Sequence, residues 1–302
     1  MPDPYLTYGN LSARTSGNPI PQIFSNAHRK RVLDINMVGI KDWNPSDWNT
    51  NIVNVGGTVS AALHATINSV CSGPQLVLTG GATPSANDGY GASHLSKIFP
   101  MPCAVTNLNA GAVVYVAFDI CTNSSSNSGA NRAVGIATGS AADAFTLGTG
   151  AVFPVGGGIA WVSVGAGVWV LTYKASTKAA VVLGTSTITG TNGNSSFIRL
   201  GFTYGINPNA ADGPLGWICG FCFKLNSLAP GLSWQGSGGD QDLPISSNEY
   251  FPSPAGFLLD NTNHGEASDV RAGLFMANGQ STGSSNRSMA VRRILAIDNL
   301  RA

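Results

Sequence analysis

Few residues in this 302-residue chain have the types and spacing to do chemistry. Gly279-Gln280-Ser281-Thr282-Gly283 matches G-x-S-x-G, the turn that presents a nucleophilic serine in α/β-hydrolases. That turn needs a strand before it and a helix after it, and its acid and histidine must follow in the chain. A Ser/Asn-rich stretch follows instead, and no histidine occurs after His264, so the order fails. Glycosidase chemistry needs two carboxylates held about 5–10 Å apart. Asp240 and Asp242, flanked by Trp234 and Tyr250, are the pair that could serve sugar chemistry or, with the aromatic rings, sugar contact. Their other reading is a solvated acidic loop.

Metal and redox chemistry is equally thin. Cys219-Gly220-Phe221-Cys222 has C-x-x-C spacing but lies in Trp217–Phe223, which reads as a strand. Residues three apart on a strand point to opposite faces, so the pair cannot easily chelate or cross-link. With no second C-x-x-C nearby, two separate thiols are expected, and the odd total of five cysteines is no disulfide framework. Asp260-Asn261-Thr262-Asn263-His264-Gly265-Glu266 gathers oxygen ligands of the kind Ca²⁺ takes, without EF-hand spacing. Such loops also cap turns. The four histidines, at 28, 64, 94 and 264, are scattered. No catalytic residue, metal set or cofactor is expected.

Composition explains the scarcity. Charged residues are 10% of the chain, against about 25% in ordinary soluble domains. Glutamate occurs twice, at Glu249 and Glu266, and the net charge is +1. Near neutrality argues against sustained nucleic-acid binding, which needs a basic surface to displace counterions. No apolar run approaches the about 18 residues of a membrane helix. Met1-Pro2-Asp3-Pro4 lacks the basic and apolar regions of a signal peptide. A weakly charged surface rich in amides and hydroxyls repels its neighbours little, which suits protein packed in an assembly.

The elements that would position these residues are strands. From about residue 96 apolar stretches recur between turn clusters, with Ala112–Ile120 the strongest and Gly165-Ala166-Gly167 turning a hairpin. Phe197–Tyr204 and Leu215–Leu225 continue the series, and Met289–Arg301 closes it. Residues 226–268 read as loop, as does Gly80–Ser96. Residues 1–57 read as irregular. Within them, His28-Arg29-Lys30-Arg31 is the densest basic run, and Trp43 and Trp48 stand five apart in a Pro-broken loop. One short helix is expected from Thr58, because Val59, Leu63, Ile67 and Val70 fall on one helical face before Gly73-Pro74.

Ile294-Leu295-Ala296-Ile297-Asp298-Asn299-Leu300-Arg301 resembles the closing strand of concanavalin-like, laminin-G-type jelly rolls. More broadly the chain resembles bacteriophage virion proteins of the tail-fibre or capsid-decoration kind. Gly148-Thr149-Gly150-Ala151-Val152 and Gly184–Gly193 carry that likeness, together with the poverty in glutamate.

The expectation is therefore an all-β protein: an antiparallel β-sandwich of jelly-roll type over 96–302, preceded by a loop-rich arm or docking region over 1–95 that carries the helix. The expected role is a non-enzymatic virion structural protein, assembled in the host cytoplasm and exposed on the particle exterior. Its partners would be other virion proteins and copies of itself, a trimer being favoured by analogy. Trp43, Trp48, Arg29 and Arg31 are the docking candidates, since aromatic rings bury large area at low entropy cost. The alternative role is an adhesin that binds a host-surface glycan through Trp234, Tyr250, Asp240 and Asp242. A polysaccharide-degrading enzyme ranks third. No nucleic acid and no membrane is expected as a partner.

Overall fold

The computed structural model describes residues 28–37, 44–53, 60–63, 75–79, 89–102, 112–122, 130–139, 156–164, 168–188, 197–206, 216–225, 245–252, 254, 257, 259, 264–280 and 288–301. Sixteen strands occupy them. The first eight are β1 (His28–Asn36), β2 (Trp48–Val53), β3 (Ser60–Leu63), β4 (Leu76–Thr79), β5 (Gly89–His94), β6 (Phe99–Pro100), β7 (Val113–Thr122) and β8 (Ala130–Ala137). The second eight are β9 (Gly158–Val164), β10 (Trp169–Lys174), β11 (Val181–Ser186), β12 (Ile198–Ile206), β13 (Gly216–Leu225), β14 (Ile245–Pro252), β15 (Arg271–Gln280) and β16 (Ser288–Arg301).

They form two antiparallel sheets. Sheet 1 runs β14-β13-β12-β7-β16-β4-β3, with β1 also paired to β16. Sheet 2 runs β11-β10-β9-β8-β15-β5-β2, with β6 also paired to β15. The chain changes sheet between β1 and β2, β2 and β3, β4 and β5, β6 and β7, β7 and β8, β11 and β12, and on either side of β15. This is the expected sandwich of jelly-roll type.

Alternation sets the core. Val114, Val116, Phe118 and Ile120 of β7 and Leu200, Phe202 and Tyr204 of β12 face inward from sheet 1. Val134 and Ile136 of β8, Trp161 of β9, Trp169, Leu171 and Tyr173 of β10, and Leu274 and Met276 of β15 meet them from sheet 2. The Trp161 indole N–H donates across the layer to the Gly201 carbonyl at 3.0 Å, so even the largest buried ring leaves no donor stranded.

Strands from residues 28–94 are built into both sheets: β1, β3 and β4 in sheet 1, β2 and β5 in sheet 2. Any docking role for residues 1–95 is thus exercised partly from within the sandwich. The helix expected from Thr58 is corrected: residues 60–63 are β3, paired from Ser60↔Thr79 to Leu63↔Leu76. An open β4 edge outweighs a modest helical preference, since tertiary context overrides propensity. The remainder of that segment, Ile67 and Val70 included, lies outside the described residues, as does the 165–167 turn.

Two stretches read as loop are strands. Gly89–His94 is β5, between β15 and β2 in sheet 2. Ile245–Pro252 is β14, the edge of sheet 1 beyond β13. Pro252 ends that strand opposite Cys219, a position where a missing N–H is tolerated.

Candidate functional site

The described surface feature that stands apart is the outward face of sheet 1. Ile218, Gly220 and Cys222 of β13 face the core, so Trp217, Cys219, Phe221 and Phe223 face out. The register carries this face across the sheet. Phe221 lies opposite Gly201 of β12 and Tyr250 of β14, and Gly201 lies opposite Ala117 of β7. One pair along, Cys219 lies opposite Thr203, which lies opposite Tyr115. At the far end Trp217 lies opposite Gly205, which lies opposite Val113.

The rings form a connected row. Tyr115 stacks on Phe221 at 5.5 Å and Phe221 on Phe223 at 5.0 Å. Phe223 meets Tyr250 edge-on at 5.4 Å. Aromatic pairs at such separations contribute about 0.5–1.5 kcal/mol each beyond burial. Two rings keep much of their area in solvent: Tyr250 is 61% exposed and Trp217 47%, with Val113 beside them at 40%.

Glycine sets the posture of these rings. A β-carbon at Gly205 would lie 2.6 Å from Cε2 of the Trp217 indole. A β-carbon at Gly201 would strike the Phe221 ring and lie 2.7 Å from the Val116 carbonyl oxygen. Both aromatics therefore lie down across a glycine on the neighbouring strand, covering backbone that would otherwise be wet. Trp217 lies flat with its other side toward solvent.

A band of ion pairs crosses the sheet next to the rings. Arg293 of β16 forks onto Asp34 of β1 at 2.6 and 2.6 Å. Arg199 of β12 forks onto Asp119 of β7 at 2.7 and 2.9 Å. Asp119 is also the register partner of Arg293. Asp119 is buried, and the fixed guanidinium of Arg199 supports its charge. Beyond the band, the Arg292 guanidinium sits 3.7 Å above the Phe197 ring.

Both glutamates are clasps. Glu249 of β14 accepts from the Thr187 N–H and hydroxyl and from the Ser186 hydroxyl at the end of β11. It thereby ties the edge of sheet 1 to the edge of sheet 2. Burial alone would raise its carboxyl, but the Thr187 and Ser186 hydroxyls and the Thr187 and Ile188 backbone hold it below the usual range. Glu266 is buried and accepts from the N–H and hydroxyl of Ser176, between β10 and β11. Its carboxyl is pushed up by burial, only partly offset by Ser176 and the Lys174 charge. Ser176 thus occupies one oxygen of Glu266, the last residue of the 260–266 stretch considered for Ca²⁺. Asp260–Asn263 lie outside the described residues.

The other sequence candidates divide. Tyr250 stands on the aromatic face. Trp48 is 5% exposed, lies in the main core and packs edge-on against His94 at 5.1 Å. Its area is already spent within its own chain. Arg29 and Arg31 sit in β1 opposite Leu300 and Asp298. Trp43, Trp234, Asp240 and Asp242 lie outside the described residues. Cys219 and Cys222 are on opposite faces of β13, as the spacing required, and burial pushes the Cys222 thiol up to about 12. Among the described residues no three His, Cys, Asp or Glu side chains are placed to hold a metal. Sequence reading missed Trp217, Tyr115, Phe221 and Phe223 as a group. Their signal was the odd-numbered aromatics of 217–223, an alternation masked by apolar residues on both faces.

No family model matches the sequence, and no curated protein matches it. Among solved structures, a protein of unknown function from Shewanella oneidensis is 12% identical, covering 94% of this chain and 95% of its own, with a TM-score of 0.46. Peanut lectin is 12% identical, covering 91% and 99%, with a TM-score of 0.44. The CBM2 module of the evolved Dit of Lactobacillus casei BL23 phage J-1 is 11% identical, covering 91% and 98%, with a TM-score of 0.42.

Proposed function

We propose that this chain is a non-enzymatic structural protein of a bacteriophage particle, a tail-fibre or capsid-decoration component. In this reading it works by packing the outer face of sheet 1 against copies of itself and other particle proteins. One observation carries the proposal: Trp217, Tyr250 and Val113 remain widely exposed on a face already carpeted by Tyr115, Phe221 and Phe223. Large contiguous apolar patches on a soluble protein mark interaction surfaces, and Trp and Tyr are the anchors such surfaces use. The ion-pair band supports the same reading. Its charges are matched within the chain, so a partner laid over it meets few bare charges.

Replacing Trp217 and Tyr250 together by Ser should leave the sandwich folded and prevent incorporation into particles or homo-oligomers. Normal assembly of a folded double variant, read by sedimentation and by particle composition, would remove the proposal.

A carbohydrate-binding adhesin is the second reading, favoured by the flat, half-exposed indole of Trp217. The C–H face of a sugar ring can stack on such a surface. Thr203 and Asn248 are polar neighbours of the rings on this face, with Arg199 opposite Phe223 already forked onto Asp119. Glycan-array binding lost in Trp217→Ala and Tyr250→Ala would favour this reading over packing.

A further inference from the structure

The charge of this nearly neutral chain is not evenly spread. β1 and β16 together hold six of its 16 Lys and Arg residues and two of its 15 acids. These two strands therefore carry a net +4, and the other 279 residues a net −3. The two strands are also adjacent. They pair along their length from His28↔Arg301 to Asn36↔Arg293, so Arg29, Lys30 and Arg301 gather at one end of one ribbon. Of the six cations, Arg293 is taken by Asp34, and Arg292 lies over Phe197. Among the described residues β1 hydrogen-bonds to β16 alone, so the ribbon forms a border of sheet 1.

Resting on the reading of the chain as an assembling structural protein, we propose that the β1–β16 ribbon docks on an acidic region of a second copy, in a head-to-tail contact. Two arguments select this occupant. The first is complementarity within one sequence: the excess on the ribbon is nearly matched by the deficit on the remainder, which includes the exposed acids Asp47 and Asp269. A second copy thus brings the counter-charge that the ribbon requires. The second is symmetry. A two-fold contact centred on the ribbon sets the same patch against itself, which here would oppose +4 to +4. Like charges across an interface cost several kcal/mol. The ribbon therefore meets a different patch of the other copy, and carried head to tail such contacts close into rings or extend as filaments. The same repulsion keeps the β1 border from pairing with its own kind, a device that protects exposed sheet edges.

Sedimentation of the full chain at about 0.1 M and about 1 M salt tests this, because the screening length falls from about 10 to about 3 Å between them. Species larger than a dimer at low salt should dissociate at high salt. The triple variant Arg29→Glu, Lys30→Glu, Arg301→Glu should lose them at both, with the melting temperature of the wild type. Arg29→Lys with Arg301→Lys should retain them. Assembly indifferent to salt overturns the proposal whatever the variants do. A wild type that stays monomeric at low salt, or stays monomeric while binding heparin or duplex DNA, overturns it in favour of another occupant. The aromatic face is judged separately. Trp217→Ser with Tyr250→Ser assembling in a salt-sensitive way would end the packing reading and leave the ribbon contact standing.

Discussion

Single side chains tie distant strands of this protein together, and the two glutamates do so with opposite signs. Glu249 has its folded carboxyl below the ordinary range, so its clasp contributes above about pH 4.3 and is lost as pH falls through the folded value. Melting temperatures of wild type and Glu249→Gln should differ at neutral pH and converge in acid. Glu266 is the reverse. Its folded carboxyl is raised, so its contribution is full below about pH 4.3 and is lost as pH rises through the folded value. Glu266→Gln keeps an acceptor for Ser176 and removes a buried charge. It should melt at or above the wild type at neutral pH, with the advantage vanishing in acid. Asp119 is a harder loss. Asp119→Ala leaves the Arg199 guanidinium without its fork on a mostly covered face and should cost about 3–5 kcal/mol in chemical denaturation. None of these roles could be read from sequence, since a lone acid in a polar stretch shows nothing of the strand that folds against it.

At the scale of elements, the glycines opposite aromatics are the testable feature. Gly205→Ala should lift the Trp217 indole from the sheet, shift its fluorescence to longer wavelength and destabilise the fold by about 1–3 kcal/mol. Gly201→Ala should cost as much or more, because backbone of β7 as well as the Phe221 ring blocks the added carbon. The long apolar strands were legible because alternation and flanking turns agreed: β7, β9, β10, β12, β13 and β16 fall where the sequence predicts them. β5 and β14 were not, because Gly89-Tyr90-Gly91-Ala92-Ser93 and Ser246-Ser247-Asn248-Glu249 have the composition of turns. They are strands because β15 and β13 supply hydrogen-bonding partners, information that lies elsewhere in the chain. β3 shows the converse, a helical spacing overruled by a neighbouring edge.

For the whole molecule, the all-β sandwich followed from the spacing of turns and from low charge, whereas the face that carries the proposed function did not. Trp217, Phe221 and Tyr250 come together only because β12, β13 and β14 are neighbours. The aromatic rings singled out by sequence, at 43, 48, 234 and 250, were chosen for standing in polar surroundings, yet Trp48 is buried, because it opens β2 and packs into the main core. The sheet order also bears on how this protein comes into being on a ribosome. β16 fills the gap between β7 and the β1 and β4 strands, and β15 fills the gap between β8 and β5. A nascent chain that has emerged only to residue 270 therefore holds two half-sheets, each with an open interior edge of sticky apolar strand. Neither can close until its keystone strand has emerged. Closure of both sheets waits on residues 271–301 and is slow, as high contact order dictates, and the exposed interval is one that a holding chaperone would shorten.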